Sequence, residues 1–293
     1  MTRPTLSQVL LCAALVGGTT VIARPALEQA RDRASSDLLN TKMLSTSVII
    51  YGVDADDLFP LAYAPTANGG RRPDAPFRLG PPRDDASVHW ANSIYPYTKS
   101  AKIYEAVGAP RLTLDQGAET PDDPNGPGVG HTFNGLLHAY SATAVVEPAR
   151  ALLFTQSPGF VSLTGRALSS PEMTCVAGQP CLYVPAAPDC GGTEPGTTSR
   201  LIALEAPQTV EESRASGERV RVQARSYIDG HAKLLRFDSV ADGLYPASEF
   251  PWSRLRPDGR PSSVWKDAHG CHPLLFRPDL VGEDVASARE FAR

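Results

Sequence analysis

The sequence predicts an α+β fold: a long N-terminal helix, apolar first and amphipathic after, packed on an antiparallel β-sheet with long loop insertions. Three observations point there. A charge-free run over residues 4–23 leads into a helical pattern with no Gly or Pro between Pro25 and Gly52. A period-two alternation brackets Asp229-Gly230. Finally, 24 Gly and 27 Pro among 293 residues exceed the ordinary combined share of about 12 %, which favours turns and loops over an all-helical chain. A net charge of −4 leaves no excess of Lys and Arg, so no nucleic-acid partner is expected. Only one apolar segment approaches membrane length, which excludes a polytopic protein.

The elements follow in order. Residues 4–23 lie between Arg3 and Arg24 and as a helix would span about 30 Å, one hydrocarbon core. Gly17, Gly18, Thr19 and Thr20 dilute the run. It reads either as a secretory signal peptide cleaved after Ala23 or as a retained transmembrane helix. Beyond Pro25, Ala30, Ala34 and Leu38, then Leu44, Val48 and Tyr51, recur at helical spacing. Glu28, Arg31, Asp32, Arg33 and Asp37 make the first half a solvated one. A continuous helix over 4–54 bends at Pro25, which removes a backbone hydrogen bond. The expected division is 1–23 leader or transmembrane segment, 24–58 amphipathic helix and 59–293 globular head. Asp54, Asp56 and Asp57 form an acidic turn before Phe59. Their near-alternate oxygens suit calcium, although a solvated turn is the ordinary reading. No cofactor is expected.

This order of features resembles the type IV pilin-like proteins and type II secretion pseudopilins of the prepilin-type N-terminal cleavage/methylation domain family. In that family a short basic leader ends in Gly, and the mature chain starts Phe-Thr-Leu-x-Glu. Thr5 and Leu6 match. Arg3 replaces the glycine, Pro4 the phenylalanine and Gln8 the glutamate, while Pro25 falls where such helices carry a proline. Asn40, Lys42, Tyr51, Asp54, Asp56, Asp57, Phe59 and Pro60 resemble the segment that ends the family's helix. Blocks at 90–104, 130–154 and 219–237 keep its order. The resemblance implies a pilin-like head and a structural, non-enzymatic role in assembly. It implies other pilin-like subunits or secretion machinery as partners. It also implies a single pass through the inner membrane, with the head periplasmic or extracellular. The degenerate leader implies poor cleavage by prepilin peptidase.

Near the C-terminal end, Val220, Val222, Ala224 and Ser226 alternate with Arg219, Arg221, Gln223 and Arg225. Asp229-Gly230 then predicts a two-residue type I′ hairpin. That register sets Ile228 opposite His231 and Val222 opposite Phe237. Val222, Ala224, Ile228, Leu235 and Phe237 then share one face, expected to pack on the N-terminal helix, with His231 and Lys233 near the turn. Asp229 and His231 read as a turn with its hydrogen bond, or as a catalytic pair. Residues 74–85 and 115–130 are expected as exposed loops, 157–200 as an insertion, and 244–293 as an extension ending in an acidic tail.

Of five cysteines, Cys12 lies in the apolar run, where it reads as a small hydrophobe. Cys175, Cys181, Cys190 and Cys271 allow three pairings in an exported chain; Cys175–Cys181 with Cys190–Cys271 is favoured. Zinc on Cys190, Cys271, His269 and His272 is the alternative, with spacings unlike known zinc patterns. No nucleophile elbow, metalloprotease helix or phosphate loop occurs. His131 and His138 are expected at the surface or in the core. Two other functions stay open: an exported or anchored binding module that no longer polymerises, and an exported hydrolase using Asp229 and His231.

Overall fold

The computed structural model describes residues 32–66, 70–79, 88–113, 126–157, 161–175, 180–185, 198–202, 221–237 and 271–282. The apolar run with Arg3, Pro4, Gln8, Cys12 and Pro25 lies outside these residues, as do Cys190, His269 and the acidic tail.

Residues 32–54 are helical and are called α1. The stripe facing inward is Asp37, Thr41, Leu44, Ser45 and Val48, the i, i+4, i+7, i+8 spacing of one helix face. Its hydroxyls are satisfied by the helix itself. Thr41 donates to the Asp37 carbonyl at 2.7 Å and Ser45 to the Thr41 carbonyl at 2.9 Å. Small polar side chains can thus be buried here without loss. After Asp54 the chain turns back, and the Asp57 N–H donates to the Gly52 carbonyl at 2.9 Å. Asp56 and Asp57 adopt left-handed φ of 51° and 60°, which short acidic side chains tolerate. Phe59 then plugs the core.

The strands come in chain order as β1 (Ala64–Pro65), β2 (Arg71–Arg72), β3 (Asp74–Pro76), β4 (Arg111–Leu112), β5 (Gly128–Val129), β6 (His131–Phe133) and β7 (Leu152–Gln156). They continue as β8 (Ser162–Thr164), β9 (Arg166–Ser169), β10 (Glu172–Met173), β11 (Ser199–Arg200), β12 (Arg221–Tyr227) and β13 (Ala232–Phe237). A second helix, α2, covers Trp90–Thr98. The main sheet has the order β13-β12-β7-β6-β9-β3, and a smaller one β4-β8-β5. The expected antiparallel sheet is in fact mixed, because β6 runs parallel to β9 and β4 parallel to β8. β7 pairs with one edge of β6 and β9 with the other. Alternation along a strand does not encode that direction.

Three regions depart from expectation. In the expected exposed loop 115–130, Gly128–Val129 instead form the buried strand β5, paired with β8. Residues 74–76, expected exposed, form the buried edge strand β3. Asp74 is tolerated inside because Arg72 donates to it and Arg166, only 1 % exposed, pairs with it. An edge position also accommodates Pro76. Residues 157–200, expected as an insertion, contribute β9 to the middle of the main sheet. Trp90 centres the core. It packs on Tyr104, Phe133 and Phe154 with ring centres 5.2–6.0 Å apart, and its indole N–H donates to the Leu168 carbonyl. Asn134 clasps the C-terminal piece by donating to the Leu152 and Phe276 carbonyls, both at 2.7 Å.

The hairpin exists, but its register differs by one residue. Val222 faces Arg236, and Ala224 faces Leu234. The loop holds three residues, Ile228, Asp229 and Gly230. The Gly230 N–H donates to the Tyr227 carbonyl, and only Gly230 has positive φ, 84°. This is a type I turn closed by a left-handed glycine, not the I′ turn. The extra loop residue shifts the pairing of β13 against β12 by one residue.

Candidate assembly surface

The functional candidates gather along α1 and at the hairpin tip beside it. Inward, the Asp37 carboxylate accepts from the Val107 N–H at 2.6 Å and from Gln156 Nε2 at 2.8 Å. Burial pushes its carboxyl up to about 6, against the lowering effect of those two bonds. The Thr41 hydroxyl stands 3.0 Å from His131 Nε2, and His131 Nδ1 stands 3.1 Å from the Tyr104 carbonyl. His131, in β6, is fully buried, and burial holds it down to about 4. These contacts fasten α1 to β6 and β7.

Outward, the same helix exposes Leu39 (58 %), Met43 (41 %), Ile49 (44 %), Ile50 (45 %) and Val53 (76 %). Its polarity is therefore inverted: the inner stripe is rich in small polar residues and the outer one in large apolar ones. Sequence reading placed the packing face correctly at Leu44 and Val48 but expected Asp37 in a solvated half, where Val107 and Gln156 instead hold it buried, and missed the outer stripe. The 4-3-4-3 spacing of residues 39, 43, 46, 50 and 53 was its available signal.

At the hairpin tip, Asp229 Oδ1 accepts from the His231 N–H at 3.1 Å and lies 2.6 Å from its Nδ1. The imidazole stacks on Tyr227 at 4.2 Å with planes 5° apart. Lys233 Nζ lies 4.8 Å from that ring's centre. An added Cβ on Gly230 would come within 2.8 Å of Ile49 Cδ1, so the tip sits against the outer side of α1. An Asp–His pair is two-thirds of a nucleophile-activating triad. Among the described residues no hydroxyl or thiol is bonded to its free Nε2, and the pair acts as a lock on the turn.

The remaining candidates are occupied structurally. Asp54 accepts from the Tyr97 hydroxyl at 2.8 Å, and no cluster of metal-ligating side chains occurs among the described residues. Cys175 and Cys181 form a disulfide with Cα atoms 5.2 Å apart, within ordinary disulfide reach. Cys271 is also disulfide-bonded. His272 has Nδ1 2.9 Å from the Ser199 hydroxyl and Nε2 3.2 Å from the Val184 carbonyl. The zinc alternative thus loses a thiolate and an imidazole. His138 Nδ1 accepts from the Ala62 and Tyr63 N–H groups, and burial holds the ring down to about 3. His89, which no motif singled out, is fully buried near Ser169 and held down to about 4.

No family model, curated protein or solved structure matches this chain. Among the described residues, no helix is long and apolar enough to cross a membrane; the apolar run at 4–23 lies outside them.

Proposed function

We propose that this chain is a structural, pilin-like or pseudopilin-like envelope protein. Its N-terminal helix anchors it in the inner membrane, and its head stands outside the cytoplasm, where it assembles with other subunits or secretion machinery. The observation that carries this reading is the two-faced helix α1, clamped inward by Asp37 and Thr41 and left apolar outward from Leu39 to Val53. A stripe of that kind is a surface in want of a partner. The apolar run before it, the mixed sheet behind it and a disulfide suited to an oxidising compartment support the same reading.

A second reading is favoured by the leader: an anchored binding module on the same scaffold that no longer polymerises. Arg3 and Gln8 stand where the resembled family has its cleavage glycine and assembly glutamate. Mass spectrometry of the native N-terminus tests both. Retention of Met1, or loss of only a few residues, is expected in membrane-bound protein. A methylated N-terminus at Pro4 would overturn the degenerate-leader reading and favour a working pilin. A start at Arg24 would remove the anchor altogether.

A further inference from the structure

Four buried side chains close into one group where α1 meets the main sheet. Asp37 and Thr41 lie one turn apart on α1, and His131 and Gln156 lie directly opposite each other across β6 and β7. Two bridges join the pairs. The Thr41 hydroxyl stands 3.0 Å from His131 Nε2, and Gln156 Nε2 donates to Asp37 Oδ2 at 2.8 Å. None of the four is more than 7 % exposed. The group sets a hydroxyl beside a base and a carboxamide beside an acid. His131 Nδ1 faces the Tyr104 carbonyl at 3.1 Å, and a carbonyl only accepts. The ring proton therefore belongs on Nδ1, which leaves Nε2 a lone pair turned to Thr41. The hydroxyl proton, directed at the Asp37 carbonyl, reaches Nε2 by rotation about the C–O bond. We propose that Thr41 and Gln156 join in an ester that ties α1 covalently to β7, with ammonia as the leaving group.

The step balances within the group. Thr41 Oγ1 attacks the Gln156 carboxamide carbon while His131 Nε2 takes the hydroxyl proton. The C–N bond of Gln156 then breaks, and protonated Asp37 gives its proton to the departing nitrogen. The imidazolium returns its proton to the Asp37 carboxylate. The net change is a C–O bond in place of a C–N bond, with one ammonia lost. Burial prepares both helpers. Asp37, raised to about 6, is protonated in a large share of molecules near that pH, while His131, held down to about 4, stays neutral there. The other titratable side chains on the packed elements are engaged elsewhere. Arg33 lies against Gly108, the Tyr104 hydroxyl donates to the Ala91 carbonyl, and Glu105 pairs with Arg111. Asp32, Lys42 and Lys102 are exposed, and Arg225 of β12 sits opposite Thr155, on the other face of the sheet from Gln156. Exclusion of water protects the ester from hydrolysis. Gln156 Oε1 is buried without a hydrogen-bond partner. The developing oxyanion thus lacks a donor, which costs a factor of roughly a hundred to a thousand in rate, so the bond forms slowly and once per chain. It needs neither the anchor nor a second copy.

The test is the intact mass of the full chain, purified at about pH 7.5 and then held at about pH 6, with circular dichroism to confirm that it stays folded. A species lighter by one ammonia should accumulate over days, about tenfold faster at the lower pH, because a larger share of Asp37 is protonated there. Trypsin should release residues 34–42 and 151–166 as one joined product. Hydroxylamine should split it into the 34–42 peptide and a hydroxamate at Gln156. Thr41→Ser should keep the product, Thr41→Val should abolish it, and Asp37→Asn should slow it at least tenfold. A constant mass at both pH values, ammonia loss that maps to other residues, a joined product that persists in Thr41→Val, or an unchanged rate in Asp37→Asn overturns the ester. Where Thr41→Val does not fold, the parent chain decides alone, since joined peptides and their cleavage by hydroxylamine need no variant.

Discussion

The two faces of α1 differ in the opposite sense to an ordinary surface helix. The inner face buries Asp37, Thr41 and Ser45, whereas the outer face shows Leu39, Ile50 and Val53 to solvent. Burial here follows partners more than polarity. Each inner polar group has a fixed hydrogen bond across to the sheet or back to its own helix, so its desolvation is offset. The outer residues are apolar and exposed.

The largest expected effect is acid instability of the inner side. His131 behind α1, and His89 and His138 deeper in the core, are held neutral by burial, at about 4, 4 and 3. Asp74 near His89 raises it, and Arg71 lowers His138 further. With folded values below the unfolded value of about 6.5, their contribution is complete above pH 6.5 and is lost as pH falls toward 4. Asp37, raised to about 6, acts in the other direction: its protonated form favours folding, and stability falls as pH rises from about 4 through 6. Three groups outweigh one, so the net loss between pH 6.5 and 4 should be several kcal/mol. Denaturant midpoints across that range check it, and a flat profile would show that the histidines are not held as described.

Truncation separates the faces directly. Leu44→Ala should cost about 2–5 kcal/mol, as for a buried leucine. Ile50→Ala should change the stability of the isolated chain by no more than about 0.5 kcal/mol. Comparable losses at both sites, measured by thermal unfolding, would erase the distinction. Gly230→Val lies between these extremes. Its φ of 84° and the nearby Ile49 Cδ1 should cost about 1–3 kcal/mol, while His231→Ala should cost less. Full stability with loss of a measurable turnover in His231→Ala would revive the hydrolase.

Asp37→Asn gives a small effect with the sharpest sign. Gln156 Oε1 is buried without a partner. An Asn at 37 keeps the bond from Val107, and a flip of the Gln156 amide lets Oε1 accept from the new amide group. The variant should be about 1 kcal/mol more stable than the parent above pH 6 and should lose the parent's Asp37 contribution to the pH profile. Destabilisation at pH 7 would mean that the ionised carboxylate is needed to hold α1.

Local features were legible in the chain because their causes are local. The end of α1, the acidic turn and the Phe59 plug follow from helical spacing interrupted at Gly52 and Asp54–Asp57. The hairpin and the positive φ of Gly230 follow from period-two alternation around Asp-Gly. The Cys175–Cys181 bridge follows from six residues of separation. The loop length of the hairpin was less legible, since Asp-Gly serves both a two-residue turn and a three-residue loop, and the choice shifts the register of β13 by one residue.

What only the tertiary structure decided are the pairings made across long stretches of chain. Asp74 is inside because Arg166 reaches it from 92 residues away, and Thr41 because His131 meets it from 90 away. The mixed direction of the main sheet comes from β6 pairing with β7 antiparallel and with β9 parallel, pairings between strands far apart in the chain. The sequence by itself determined the segments, their periods and their breaks, since those depend on neighbours a few residues apart. Which polar side chains of α1 are buried beside Leu44 and Val48 depended on distant donors and acceptors, and no periodicity carries their positions.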